Sequence, residues 1–173
     1  LALKYKDELL DGTYYIRTNL SNNKVLGIAG NPLANKSNVV IKTFKKEDSY
    51  RWKVQHDKKG YVTFINEKSG KVLDVYDAGK SNDKKVWQYT SNHSLAQKWI
   101  ARKDGNSYEI ISAINGMVLD VKGANSVDNT GMQIHKPNNS KAQRFQMISA
   151  NPKVMSNGEN VEQGKYYMIP SNN

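Results

Sequence analysis

The sequence contains no cysteine, so a disulfide framework, a thiolate metal site and a thiol nucleophile are all excluded. That absence fits the cytosol, and equally a secreted bacterial protein that folds without bridges. Histidine is scarce: His56, His93 and His135 stand in unrelated contexts, without the spacing of a metal site. No glycine-rich phosphate loop leads into a helix, and no serine sits in a nucleophile elbow, so enzyme chemistry and a bound cofactor are not expected. No apolar run approaches the roughly 20 residues needed to span a bilayer, so membrane insertion is not expected either. Helical periodicity is missing throughout, except in the charged opening LALKYKDELL.

What the chain has in excess is positive charge, a formal +10. Such a balance favours anionic partners. The lysines nevertheless fall as scattered pairs (Lys45-Lys46, Lys58-Lys59, Lys84-Lys85) in polar, turn-like stretches, the usual pattern of a solvated surface. No aromatic-basic recognition motif accompanies them, so nucleic acid is not an expected partner.

The second feature is an internal repeat. The tetrapeptide Val-Leu-Asp-Val occurs at 72–75 and again at 118–121. Trp52, Trp99 and Phe145 are spaced by 47 and 46 residues, and so are Gly27, Asp74 and Asp120. Gly27 to Tyr50, Asp74 to Gln97 and Asp120 to Gln143 are each separated by 23. Within a unit, short runs such as TYYIRT, YVTFIN and SYEIIS carry the aromatic and β-branched residues of half-buried strands. Clusters of Gly, Asn, Asp and Ser between them are turn chemistry. Four short strands per unit predict about twelve in all. A single unit of this size cannot bury its own apolar face, so three must share one core. Trp52, Trp99 and Phe145, recurring at one place in every unit, are the expected centre of that core.

The pattern VLDV followed by Ala-Gln-x-Trp or Ala-Gln-x-Phe resembles the ricin-type β-trefoil lectin domain, with its Gln-x-Trp signature and upstream Asp. The resemblance covers residues 12–149, read as repeats 12–59, 60–105 and 106–149. The lack of cysteine makes it more similar to trefoils of Gram-positive bacterial toxins and surface enzymes than to plant toxins. It implies an all-β trefoil fold and a non-catalytic carbohydrate-binding role, with galactose or N-acetylgalactosamine as the commonest ligand. In that family the Asp accepts hydrogen bonds from sugar hydroxyls and an aromatic residue stacks on the sugar ring. Carried to this chain, the second unit offers Asp74 as acceptor, Tyr89 as platform and Trp87 at the polar-contact position, with Asn92, His93 and Gln97 nearby. Trp87 either enlarges the stacking surface or blocks the pocket. The third unit offers Asp120, Gln133, His135 and Gln143 in the same order. The first unit has Gly27, Lys42 and Tyr50 at these places, and is expected to be inactive.

A different reading of the same residues stays open. Asp74 and Asp120 would then only cap turns by accepting backbone N–H bonds, Gln97 and Gln143 would serve the backbone, and the lysines would dock a protein or an anionic polymer. The shape of either site rests on the loops 80–85 and 126–131. Residues 1–11 are expected to be an extension from a preceding region, and the start at Leu1 reads as an excised segment. Residues 150–173 are expected to be a linker followed by the first strand of a possible second trefoil, because QGKYYMIPSNN echoes DGTYYIRTNLSNN. The whole is expected to be a module of a larger, multidomain secreted or cell-surface protein with glycans as partners.

Overall fold

The computed structural model describes residues 1–150 and contains twelve strands, four in each repeat. The first repeat has β1 (Gly12–Thr18), β2 (Lys24–Ile28), β3 (Val39–Thr43) and β4 (Trp52–His56). The second has β5 (Val62–Asn66), β6 (Val72–Val75), β7 (Val86–Tyr89) and β8 (Trp99–Asp104). The third has β9 (Ser107–Ser112), β10 (Val118–Val121), β11 (Met132–His135) and β12 (Phe145–Ser149).

The outer strands of the three repeats close a six-stranded barrel. β1 pairs β4, β4 pairs β5, β5 pairs β8, β8 pairs β9, β9 pairs β12, and β12 returns to β1. Closure removes the free edges that a short open sheet would leave. The inner strands form three hairpins, β2–β3, β6–β7 and β10–β11. Isolated bridges Asn38 to Trp87, Lys85 to Gln133 and Val40 to Gly131 join the hairpins into a ring over one end of the barrel. This is the all-β trefoil that the repeat predicts.

Alternation supplies the core. Along β5, Val62, Phe64 and Asn66 are buried while Thr63 and Ile65 are only half so. Trp52, Trp99 and Phe145 are each wholly buried in a cluster shared by all three repeats. The indole N–H of Trp52 donates to the carbonyl of Leu26 (3.2 Å), and that of Trp99 to the carbonyl of Leu73 (3.1 Å). The first residue of each of these barrel strands is thereby pinned to the hairpin residue just before Gly27 or Asp74.

The opening segment is part of the same body. Its helix is only Ala2–Tyr5. Ala2 is buried with Ile100, Ile111 and Val118, and Leu9 enters the main core. The Tyr108 hydroxyl donates to the Glu8 carbonyl (2.9 Å). Gly60 (φ 91) permits the approach, since a Cβ there would lie 2.6 Å from the Ala2 carbonyl oxygen. Residues 1–11, expected as an extension, thus pack on the barrel. The expected linker and further strand fall at 151–173, outside the described residues.

Trp99→Phe should lower stability by about 2 kcal/mol in urea denaturation, through loss of one buried hydrogen bond together with the smaller volume of the phenyl ring. Phe145→Ala should cost about 3–5 kcal/mol through the cavity it leaves. No loss of stability in Trp99→Phe would contradict the pinning role of the indole.

Candidate functional site

Antiparallel register builds the second site. Asp74 on β6 faces Trp87 on β7, and the period of two brings Tyr89 onto the same face of the hairpin. Tyr76, in the turn just after β6, donates its N–H to the Lys85 carbonyl (2.9 Å) and sets its ring against Trp87. Asp74 is 5% exposed and lies among apolar neighbours. A buried carboxylate needs donors, and two are supplied. Trp87 Nε1–H donates to Oδ1 (3.0 Å) and Gln97 Nε2–H to Oδ2 (2.7 Å). Gln97 is fully engaged, since its amide also donates to the Thr90 carbonyl (2.9 Å) and accepts from Asn92 N–H (2.8 Å). It therefore holds the carboxylate and the 92–97 loop without facing solvent.

Above the carboxylate lies a pocket of about 570 Å³, lined among others by Asp74, Tyr76, Trp87, Tyr89, Asn92 and Lys36. That volume is within the roughly 300–1,000 Å³ of ligand pockets. Trp87 and Tyr89 are stacked with centroids 6.0 Å apart and planes at 21°, and Tyr76 meets Trp87 edge-on at 4.8 Å. Trp87 is nearly buried (9% exposed) and shares the wall with the more exposed Tyr89. The bulky ring does not close the pocket. Its N–H is engaged by Asp74, and its face extends the wall. Asn92 caps its own loop, its Oδ1 accepting from Ser94 N–H (3.0 Å). His93, exposed with φ 60, is not among the residues lining the pocket.

The third repeat rebuilds the same polar frame. Asp120 is 4% exposed, with Gln133 Nε2 donating to Oδ1 (3.3 Å) and Gln143 Nε2 to Oδ2 (2.8 Å). Gln143 also donates to the Lys136 carbonyl (3.0 Å) and accepts from Asn138 N–H (2.8 Å). The ring of His135 is held by Asp83 through Nδ1 at 2.7 Å. In both repeats the carboxylate is bound by side-chain amides and an indole, not by the backbone N–H groups of a turn cap. Burial pushes the pKa of Asp74 up, against the lowering effect of the Gln97 and Trp87 bonds. Burial likewise raises that of Asp120, opposed by Gln143 and Gln133.

The first repeat lacks the acceptor, and its space is filled. The Tyr50 ring, 7% exposed, lies where a Cβ on Gly27 would meet it at 3.0 Å. Lys42 and Lys45 line a small hollow beside Tyr50 with Asp128, whose carboxylate is paired with Lys24.

Spacing within one repeat did not reveal Tyr76, Lys36, Asp77 or Asp83. Tyr76 was legible as the residue that follows the VLDV strand, two beyond Asp74. Lys36 and Asp83 arrive from neighbouring repeats. The loop 80–85, read as shaping a site, sits on the third repeat: Asp83 N–H donates to the Ile134 carbonyl (2.8 Å) and Lys136 N–H to Asn82 Oδ1 (2.9 Å). The loop 126–131 sits in the same way on the first.

The family described as ricin-type beta-trefoil lectin domain-like matches residues 5–94 and 95–172. Solved structures with this fold include the designed three-fold symmetric protein ThreeFoil, 24% identical with a TM-score of 0.77 over 80% of this chain and 99% of that one. An exo-beta-1,3-galactanase from Clostridium thermocellum is 27% identical with a TM-score of 0.77, over 80% of this chain but 30% of the galactanase. The Rhizoctonia solani agglutinin is 22% identical with a TM-score of 0.74, over 82% of this chain and 96% of that one.

A raised folded-state pKa means that the folded protein holds its proton to higher pH than the unfolded chain. The stability contributed by Asp74 is therefore fully present below the unfolded value and is lost as pH rises through the folded one. The stability difference between the parent and Asp74→Ala should be larger at about pH 3 than at about pH 7, measured by urea denaturation at both. A larger difference at neutral pH would mean that the ionised form is the one the fold favours.

Proposed function

Because the chain belongs to the ricin-type β-trefoil lectin domain-like family, we propose that it is a non-catalytic carbohydrate-binding module taking galactose- or N-acetylgalactosamine-type glycans through its second and third repeats. The observation that carries this is the pair of carboxylates, Asp74 and Asp120, each buried, each held by a glutamine, and in the second repeat lying in the floor of an aromatic-walled pocket. Among the solved structures with this fold, a Macrolepiota procera ricin B-like lectin is in complex with lactose, and the C-half of an earthworm R-type lectin with GalNAc.

The chemistry suits a neutral sugar. An ionised carboxylate is the stronger acceptor, and one Asp can orient two vicinal hydroxyls while its inner lone pairs stay occupied by Trp87 and Gln97. The C–H face of a pyranose then covers the ring of Tyr89. The third repeat offers Asp120 with the smaller ring of His135. Such shallow sites bind weakly, near 1 mM or about −4 kcal/mol each, and gain by engaging one glycan surface together. A module of this kind serves a larger secreted or surface protein. The 30% share of the matched galactanase is in keeping with an accessory domain.

Calorimetric titration with methyl β-galactoside should show binding that hardly changes between low and high salt. Asp74→Ala should weaken its site by about tenfold or more, the worth of a charge-assisted hydrogen bond, and Asp74→Ala/Asp120→Ala should bind no measurable sugar. Binding only to polyanions, abolished by salt and retained in the double variant, would contradict the reading and leave the lysines as the functional surface. Acidification should remove binding as the two carboxylates protonate, with a midpoint above the ordinary Asp value of 3.8.

A further inference from the structure

The sites in the second and third repeats differ most at a position that each borrows from its neighbour. Lys36, Asp83 and Asn129 are equivalent by the 47- and 46-residue spacing, and all three have left-handed backbone, with φ of 72, 68 and 70. Each lies in a loop clasped onto the next repeat. Lys36 N–H donates to the Gln88 carbonyl (2.9 Å), Asp83 N–H to that of Ile134 (2.8 Å) and Asn129 N–H to that of Ile41 (2.8 Å). Asn and Asp accept this conformation readily, whereas a long side chain does so at a cost. Lysine at 36 is therefore not explained by the backbone.

The loop carrying Lys36 is built onto the second site. The buried Gln88 amide donates to the carbonyls of Pro32 and Ala34, both at 2.9 Å, and Thr90 N–H donates to Asn35 Oδ1 (2.8 Å). Lys36 lines the Asp74 pocket, is exposed, and enters none of the ion pairs among the described residues. Two carboxylates share that pocket. Asp74 is in the floor, bound to Trp87 and Gln97, and Asp77 follows Tyr76 at the far end of the row of rings from Tyr89. Lys85 adds a second cation above Tyr76 and Trp87, at 5.1 and 5.5 Å from their centroids. At the third site the borrowed residue is an acid, Asp83, fixed against the His135 ring.

We propose that Lys36 makes the second site selective for galactose-type glycans that carry an acidic substituent, a sulfate or a carboxylate, while Asp83 turns the third site away from them. This rests on the sugar-binding reading of Asp74 and Asp120. One domain then presents two sites of unlike charge preference on one scaffold, and a glycan surface of mixed neutral and acidic termini engages both.

The test isolates each site. In Asp120→Ala protein, lactose, 3′-sulfated lactose and 3′-sialylated lactose are titrated in turn by ligand-observed NMR. One or both acidic ligands should bind about two- to fivefold tighter than lactose, the range of an exposed charge pair, and whichever does so names the acidic group. Lys36→Gln should bring that ratio to about one, and Lys36→Arg should keep it. In Asp74→Ala protein the ratio should be one or less, and Asp83→Asn should raise it. Equal binding of all three ligands in Asp120→Ala protein, or a preference that survives Lys36→Gln, overturns the role of Lys36 while leaving sugar binding intact. Failure of lactose itself to bind to either protein overturns the sugar reading and this inference together.

Discussion

The bond between a buried aspartate and the glutamine 23 residues later is the constraint around which each intact repeat is organised. Asp74 and Gln97 meet at 2.7 Å, Asp120 and Gln143 at 2.8 Å. Each bond ties a hairpin to the short turn that leads into the last barrel strand of its repeat. Just behind Asp74, the Leu73 carbonyl is held by the Trp99 indole, so the hairpin is fastened both to that turn and to the strand that follows it. A carboxylate in this place is costly to desolvate without donors. The two glutamines in turn are bonded at both their nitrogen and their oxygen, and a half-satisfied network would be worse than an apolar one. Site and fold are therefore one network. The inner sides of the carboxylate serve the fold, and in the second repeat Asp74 also lines the pocket.

The first repeat shows how the network is dismantled without loss of the fold. Gly27 removes the acid, and Tyr50 replaces the glutamine with a ring that fills the vacated space. Polar satisfaction gives way to apolar packing as a unit, which is the way such exchanges stay neutral. The same backbone then presents lysines where its siblings present a ring over a carboxylate. Fold is common to the three repeats and surface chemistry is not.

The fold was legible in the sequence because a shared core forces one residue of each repeat to the same place, and Trp52, Trp99 and Phe145 mark it at matched spacing. The carboxylates were legible for the same reason. The partners of those residues were not. Trp87 stands at the place of Gln133, and only the geometry shows that an indole N–H performs the work of an amide there. Gln97 and Gln143, candidate site residues by their spacing, are buried and brace the two carboxylates. Lys36 and Asp83 were out of reach of any spacing argument, because periodicity reports which residues are equivalent and not which neighbouring repeat a loop leans on. The opening segment escaped for a related reason: Ala2 and Leu9 carry no period, yet burial on the barrel holds them.

The central claim is that one buried carboxylate, braced from within, receives the sugar from without. It is tested most directly by following side-chain N–H resonances in two-dimensional NMR during titration with methyl β-galactoside. The expected result is a shift of the Trp87 indole and of the Gln97 and Gln143 amides, saturating with the ligand, while the core indoles of Trp52 and Trp99 stay in place. Shifts confined to lysine-rich surface, with the braces of Asp74 and Asp120 unmoved at saturating sugar, would contradict it.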